Sequence, residues 1–126
     1  MTPKRILIVD DSSLVRLYYS DVLAKGGFAV AQAINGIEAM EKALAERFDL
    51  VIADVNMPRM DGFSFLRALR ASAGPAGSLP ALVISTEAGA QDLADALSAG
   101  ANFYLIKPVA QADLLRQVAV LTGAAP

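Results

Sequence analysis

Residues 6–13 read Ile6-Leu7-Ile8-Val9-Asp10-Asp11-Ser12-Ser13, four apolar residues followed at once by two adjacent aspartates. An uninterrupted apolar run of that length reads as a strand buried on both faces, the kind found in parallel sheets. Two like charges at its end are unfavourable beside each other, so they need a reason. Four more apolar runs follow, Ala29 to Ala33, Leu50 to Ala53, Ala81 to Ile84 and Phe103 to Ile106. Amphipathic segments separate them. The first spans roughly Ser13 to Lys25 and is closed by Gly26-Gly27; the second, Gly36 to Arg47, carries Ile37, Met40 and Leu44 at helical spacing. The others run from Gly62 to about Ser72, from about Ala90 to Ala99 with Gly100 as the stop, and from Ala110 to Leu121. In the first helix Val15, Tyr18, Tyr19 and Val22 fall at i, i+3, i+4 and i+7 and are assigned to the core, which leaves Leu14 and Leu17 on another face.

Five strand-helix units with right-handed crossovers make an α/β protein with a parallel sheet and helices on both faces. The stretch Ser72 to Pro80, SAGPAGSLP, has linker composition, but neither flank could form a core alone, so it reads as a surface loop. At 126 residues the chain has room for one domain, here taken as 1–126. No apolar run is long enough to span a membrane and Met1-Thr2-Pro3-Lys4 leads straight into a strand, so a cytoplasmic protein is expected. A net charge of -2 with no cluster of Lys and Arg offers no footprint for nucleic acid or an anionic membrane. Protein partners are expected instead. With neither Cys nor His in the chain, any chemistry rests on carboxylates, hydroxyls and lysine.

The strands all point one way, and their C-terminal ends collect those groups: Asp10 and Asp11, Asp54, Ser85 and Thr86, and Lys107. Only the second strand, ending Ala33-Ile34-Asn35-Gly36, offers nothing reactive. Open parallel sheets bind ligands outside the carboxyl ends of their strands. Taken singly, each residue has a plainer reading. Asp10 to Ser13 could cap the first helix, Asp54 could open a turn before Pro58, Ser85 and Thr86 could end a strand, Tyr104 could be an edge aromatic, and Lys107 could be a solvated charge. Chance would have to place all of them at one sheet edge.

Taken together, VDDS at Val9, DVNMPRMDG at Asp54, IST with Glu87-Ala88 at Ile84 and IKP at Ile106 resemble the receiver domain of two-component response regulators, in the single-domain chemotaxis form. That family is itself a standard instance of the doubly wound, flavodoxin-like sheet of order 2-1-3-4-5, so the order comes from the resemblance and not from spacing. The resemblance implies Asp54 as phosphoacceptor, Asp10 and Asp11 as a Mg2+-binding pair, Ser85 as switch hydroxyl, Tyr104 as rotamer switch and Lys107 as the cation paired to the phosphoryl group. It implies further that Asp11 and Asp54 ligate Mg2+ directly, Asp10 through water, and Asn56 through its carbonyl, with the Thr86 N–H beside the phosphoryl oxygens. Crowded carboxylates need a cation, and a donor set of oxygens suits Mg2+.

The function so implied is a monomeric switch that takes a phosphoryl group from a histidine kinase or phosphotransfer protein and changes its binding to a protein target, in chemotaxis or a related circuit. It would catalyse only its own phosphotransfer and self-dephosphorylation. Lys107-Pro108 is expected to be cis. Leu14 and Leu17, beside Asp10-Asp11, are expected to receive the donor protein. Two departures concern the output: Glu87 to Asp92, EAGAQD, lacks the lysines expected for a motor contact, and Val109 stands where an aromatic is common. Asn56 and Glu87 match the chemotaxis form, which the family links to fast self-dephosphorylation. A haloacid-dehalogenase-type phosphohydrolase would need a second Asp where Asn56 stands. A flavodoxin-type carrier would not set Asp10-Asp11 against a flavin phosphate.

Overall fold

The computed structural model describes residues 3–55, 61–87 and 89–124. Strands β1 (Arg5–Val9), β2 (Ala29–Ala33), β3 (Leu50–Asp54), β4 (Ala81–Ser85) and β5 (Phe103–Ile106) alternate with helices α1 (Ser13–Lys25), α2 (Gly36–Ala45), α3 (Gly62–Arg70), α4 (Ala90–Ala99) and α5 (Gln111–Thr122). All strand pairs are parallel and the order is β2-β1-β3-β4-β5, as expected. Because successive side chains point to opposite faces and both faces are covered, the central strands are apolar at successive positions, Ile6 to Val9, Leu50 to Ala53 and Ala81 to Ile84. Leu7, Val9, Val51, Ala53 and Val83 meet α2, α3 and α4, while Ile6, Ile8, Ile52, Ile84 and Leu82 meet α1 and α5. No helix among the described residues is long and apolar enough to cross a membrane.

Burial differs from expectation in three places. The edge strands β2 and β5 are not covered on both faces; Phe103 and Ile106 are exposed because β5 has a neighbour on one side only. On α1 the buried row is Tyr19, Val22 and Leu23, with Val15 partly covered, and Tyr18 is 42 % exposed. One residue is about 100° of helix, which puts Tyr18 on the flank of that row, its ring tilted against Tyr19 at 5.6 Å. On α2 the sheet-facing row is Gly36, Ala39 and Ala43, with Met40 partly covered, while Ile37 and Leu44 are exposed. Small residues bring that helix close to the sheet, and the larger ones fall one position round.

Helix α3 ends at Arg70, and the segment expected as a loop holds a 3-10 turn at Pro75–Ser78. Arg70 ties it down: Nη1 donates to the carbonyls of Leu79 (2.6 Å) and Gly77 (3.3 Å), Nε and Nη2 donate to that of Gly100 (3.0 and 2.7 Å), and Nη2 reaches Asn102 Oδ1 at 3.0 Å. Gly100 has φ +112°, and a Cβ there would lie 2.6 Å from Arg70 Cγ, so the C-cap of α4 needs glycine for both reasons. These contacts close the N-terminal end of the sheet. The C-terminal end is left open for the site.

Candidate functional site

Four strand ends converge on one acidic cluster. Asp10 follows β1 and is 2 % exposed, Asp54 is the last residue of β3 and half-buried, and Asp11 is exposed at the rim. One carboxylate oxygen from each lies within 4.8 Å of the others. Every polar group of Asp10 is engaged: its N–H donates to Ala33 O (3.2 Å), Oδ1 accepts the Ser12 N–H (2.9 Å), and its carbonyl accepts Arg16 Nη1 (2.7 Å). Lys107 Nζ donates to Asp54 Oδ1 at 3.3 Å and stands 3.8 Å from Asp10 Oδ2. The Lys107-Pro108 bond is cis.

Burial pushes the Asp10 carboxyl above the usual range, and the charges of Asp54 and Asp11 push the same way; the Ser12 N–H and Lys107 oppose them. The same negative field reaches the core, where the Tyr19 phenol is pushed up to about 12 by burial and then by Asp10 and Asp54. One ammonium therefore does not balance three carboxylates. Hard oxygen donors with excess negative charge suit a small divalent cation such as Mg2+.

Capping side chains and one close-packed glycine set the local turns. Ser12 does cap α1, its Oγ accepting the Val15 N–H at 3.3 Å, while the aspartates before it serve the cluster. Asp61 caps α3 by accepting the Ser64 N–H at 2.8 Å. Gly62 then passes so close to β3 that a Cβ would lie 2.2 Å from the Asp54 carbonyl oxygen. Asn56, expected to contribute a carbonyl, lies outside the described residues.

On the far side Ser85 is buried at the end of β4, and its Oγ accepts the Glu87 N–H at 3.1 Å. The Tyr104 hydroxyl donates to the Glu87 carbonyl at 2.7 Å. Ser85 and Tyr104 thus hold the N–H and the C=O of one residue. Thr86, between them, is exposed.

Beside the cluster opens a cavity of about 500 Å³ lined by Leu14, Val15, Tyr18 and Tyr19 of α1 and by Thr86, Lys107, Pro108 and Val109. Leu14 is 77 % and Leu17 63 % exposed, as expected, but only Leu14 is among the residues lining the cavity. The sequence reading did not single out Arg16, and it gave the others different places: Tyr18 in the core, Pro108 only in the expected cis bond and Val109 only as a departure concerning the output. An arginine on a helix reads as a solvated charge, and the contribution of Pro108 and Val109 depends on the path after β5. A second cavity of about 520 Å³ lies away from the Asp10, Asp11 and Asp54 cluster, between the end of α2, the 3-10 turn and the end of α5.

The response regulator receiver domain family model matches residues 6–119. The chain is 39 % identical over 121 residues to the transcriptional regulatory protein PrrA of Mycobacterium tuberculosis, covering 96 % of this chain and 51 % of that protein. It is 38 % identical to the response regulator MprA of the same species, covering 93 % and 50 %. The chain therefore spans about half the length of these curated relatives. Among solved structures it resembles the chemotaxis response regulator CheY4 of Vibrio cholerae at TM-score 0.89 and 36 % identity, covering 95 % of this chain and 99 % of that one. It also resembles the receiver domain of the sensor histidine kinase PA1611 of Pseudomonas aeruginosa, at TM-score 0.89 and 30 % identity over 97 % and 99 % of the two chains. That structure holds a magnesium ion coordinated in its active site cleft.

Proposed function

The chain belongs to the response regulator receiver family and is a phosphorylation-dependent switch; we propose that Asp54 is its phosphoacceptor, with a phosphohistidine of a histidine kinase or phosphotransfer protein as the donor. The observation that carries this is the Lys107 ammonium 3.3 Å from Asp54 Oδ1 in a cluster of carboxylates at a sheet edge. An Asp54 oxygen attacks phosphorus, the P–O bond forms as the P–N bond breaks, and the departing imidazole keeps the electron pair and takes up a proton. Lys107 holds Asp54 in place and meets the charge of the arriving phosphoryl oxygens. Asp10, Asp11 and Asp54, with the Asn56 carbonyl, are the residues that would hold Mg2+, which when bound neutralises charge on the carboxylates and on the transferring group.

Ser85 and Thr86 line the other side. A phosphoryl group would draw the Ser85 hydroxyl by a charge-assisted hydrogen bond, at the expense of its bond from the Glu87 N–H. Because Tyr104 holds the carbonyl of that same residue, the change passes to the ring and so to the surface of α4, β5 and α5. The donor protein docks on Leu14 and Leu17, with the cavity beside Leu14 extending the apolar surface to Pro108 and Val109. The circuit is chemotaxis or a related two-component pathway. The chain acts as a single receiver domain in the cytoplasm and as a monomer, with a protein target, and its chemistry is confined to its own phosphotransfer and self-dephosphorylation. Incubation with a small phosphodonor and Mg2+ should add one acid-stable, base-labile phosphoryl group. Full labelling of Asp54→Asn would refute the assignment.

A further inference from the structure

Asp10 is held at three points, and the third comes from a residue with no part in the proposed chemistry. Arg16 sits on α1, its Nη1 donating to the Asp10 carbonyl at 2.7 Å and its Nε to Gln32 Oε1 on β2 at 3.0 Å. The guanidinium thus bridges the end of β1 to the neighbouring strand. The Asp10 carbonyl belongs to the peptide unit that joins Asp10 to Asp11. Fixing that oxygen fixes the plane of the peptide, and with it the direction in which the Asp11 side chain leaves the backbone.

Asp11 needs such support. It is exposed at the rim, whereas Asp10 is buried and bonded to the Ser12 N–H, and Asp54 is tied to Lys107. We propose that Arg16 is a positioning residue for the metal-binding carboxylates, holding the Asp10-Asp11 peptide so that Asp11 faces Asp54. The inference rests on the metal-binding reading above.

Geometry and charge predict opposite signs, which makes the test sharp. Near a divalent site, removing a cation should strengthen metal binding if Arg16 acted through its charge alone. If Arg16 acts through the peptide plane, its loss should weaken binding, as the loss of outer-shell partners does. Mg2+ binding to the unphosphorylated protein is measured by titration calorimetry for wild type, Arg16→Met, Arg16→Lys and Gln32→Leu. The expected result is a loss of about tenfold in affinity for both Arg16 variants, because lysine keeps the charge but cannot bridge the carbonyl and Gln32 together. Gln32→Leu, which frees only the Nε end, should show a smaller loss in the same direction.

Tighter binding by Arg16→Met, or wild-type affinity in Arg16→Lys, would overturn the inference. Should Arg16→Met fail to fold, Arg16→Lys and Gln32→Leu decide it. Failure of the wild type to bind Mg2+ saturably would overturn the metal site and this inference together, whereas tight wild-type binding with unaffected variants would overturn the role of Arg16 alone.

Discussion

Substituting Gly62→Ala tests the link between the turn and the phosphoacceptor. Helix propensity alone would make the change favourable by up to about 1 kcal/mol, since Gly62 is a helical position that needs no positive φ. The structure predicts the opposite. A Cβ on Gly62 would lie 2.2 Å from the Asp54 carbonyl oxygen and 3.0 Å from Val55 Cα, both backbone atoms that no rotamer change can move. Relieving the clash requires roughly 1 Å of separation between α3 and the end of β3, and such overpacking costs about 1–3 kcal/mol. The same movement stretches the 3.0 Å bond from the Gly62 N–H to the Val55 carbonyl, adding about 1 kcal/mol. After the propensity gain a net loss of about 1–3 kcal/mol remains, which for a chain of this size lowers Tm by about 4–11 °C. Because Asp54 itself is displaced, labelling by a small phosphodonor should fall by about tenfold or more in protein that is still folded. Thermal denaturation followed by circular dichroism, with labelling measured well below Tm, checks both. An unchanged or raised Tm would refute the steric argument, and a lowered Tm with full labelling would refute the coupling to Asp54.

Two further outcomes follow from the electrostatics and the surface of the site. The folded-state pKa of Asp10 lies above its ordinary value, so stability linked to this group is complete below about pH 4 and is lost as pH rises through the raised value. Asp10→Asn should therefore be more stable than wild type at pH 7 in EDTA, with the difference shrinking as pH falls, and added Mg2+ should stabilise wild type but not the variant; equal denaturation midpoints at pH 7 would contradict this. The Leu14→Ser, Leu17→Ser double variant should slow phosphotransfer from a donor protein by about tenfold, about 1.4 kcal/mol, while labelling by a small phosphodonor stays near wild type. Most of that loss should appear in Leu14→Ser alone, since Leu14 borders the cavity and Leu17 does not; a loss of labelling with both donors would point to a damaged fold.

The sheet was legible because its central strands carry unbroken apolar runs, and the cluster because charge stands where those runs stop. Asp10, Asp11, Asp54 and Lys107 come together for that reason. The helices were less legible. Helical spacing marks an apolar stripe but not which edge of it the sheet takes, so Tyr18 was assigned to the core and Leu23 was not, and on α2 the spacing of Ile37 and Leu44 did not show that Ala39 and Ala43 face the sheet. A small side chain that lets a helix approach carries little hydrophobic signal. Arg16 was invisible for a different reason, since its partner is a backbone carbonyl and no residue type announces one. The same is true of Arg70, which serves three carbonyls at the other end of the sheet.

The apolar uniformity of β1 has a cost that the aspartates remove. A strand with one polar face has its register set by that face, because slipping one residue would expose the apolar side chains and bury the polar ones. In Ile6-Leu7-Ile8-Val9 a slip exchanges apolar for apolar on both faces, so the pattern itself says little about where the strand should stop. Asp10 says it. Drawing β1 inward by one position would pull that carboxylate between Ala33 and Ala53, where β2 and β3 flank it and neither Ser12 nor Lys107 could follow. Asp10, proposed to help hold a cation, thus also marks where β1 must stop, and a substitution that made it apolar would remove that mark as well as a ligand from the site.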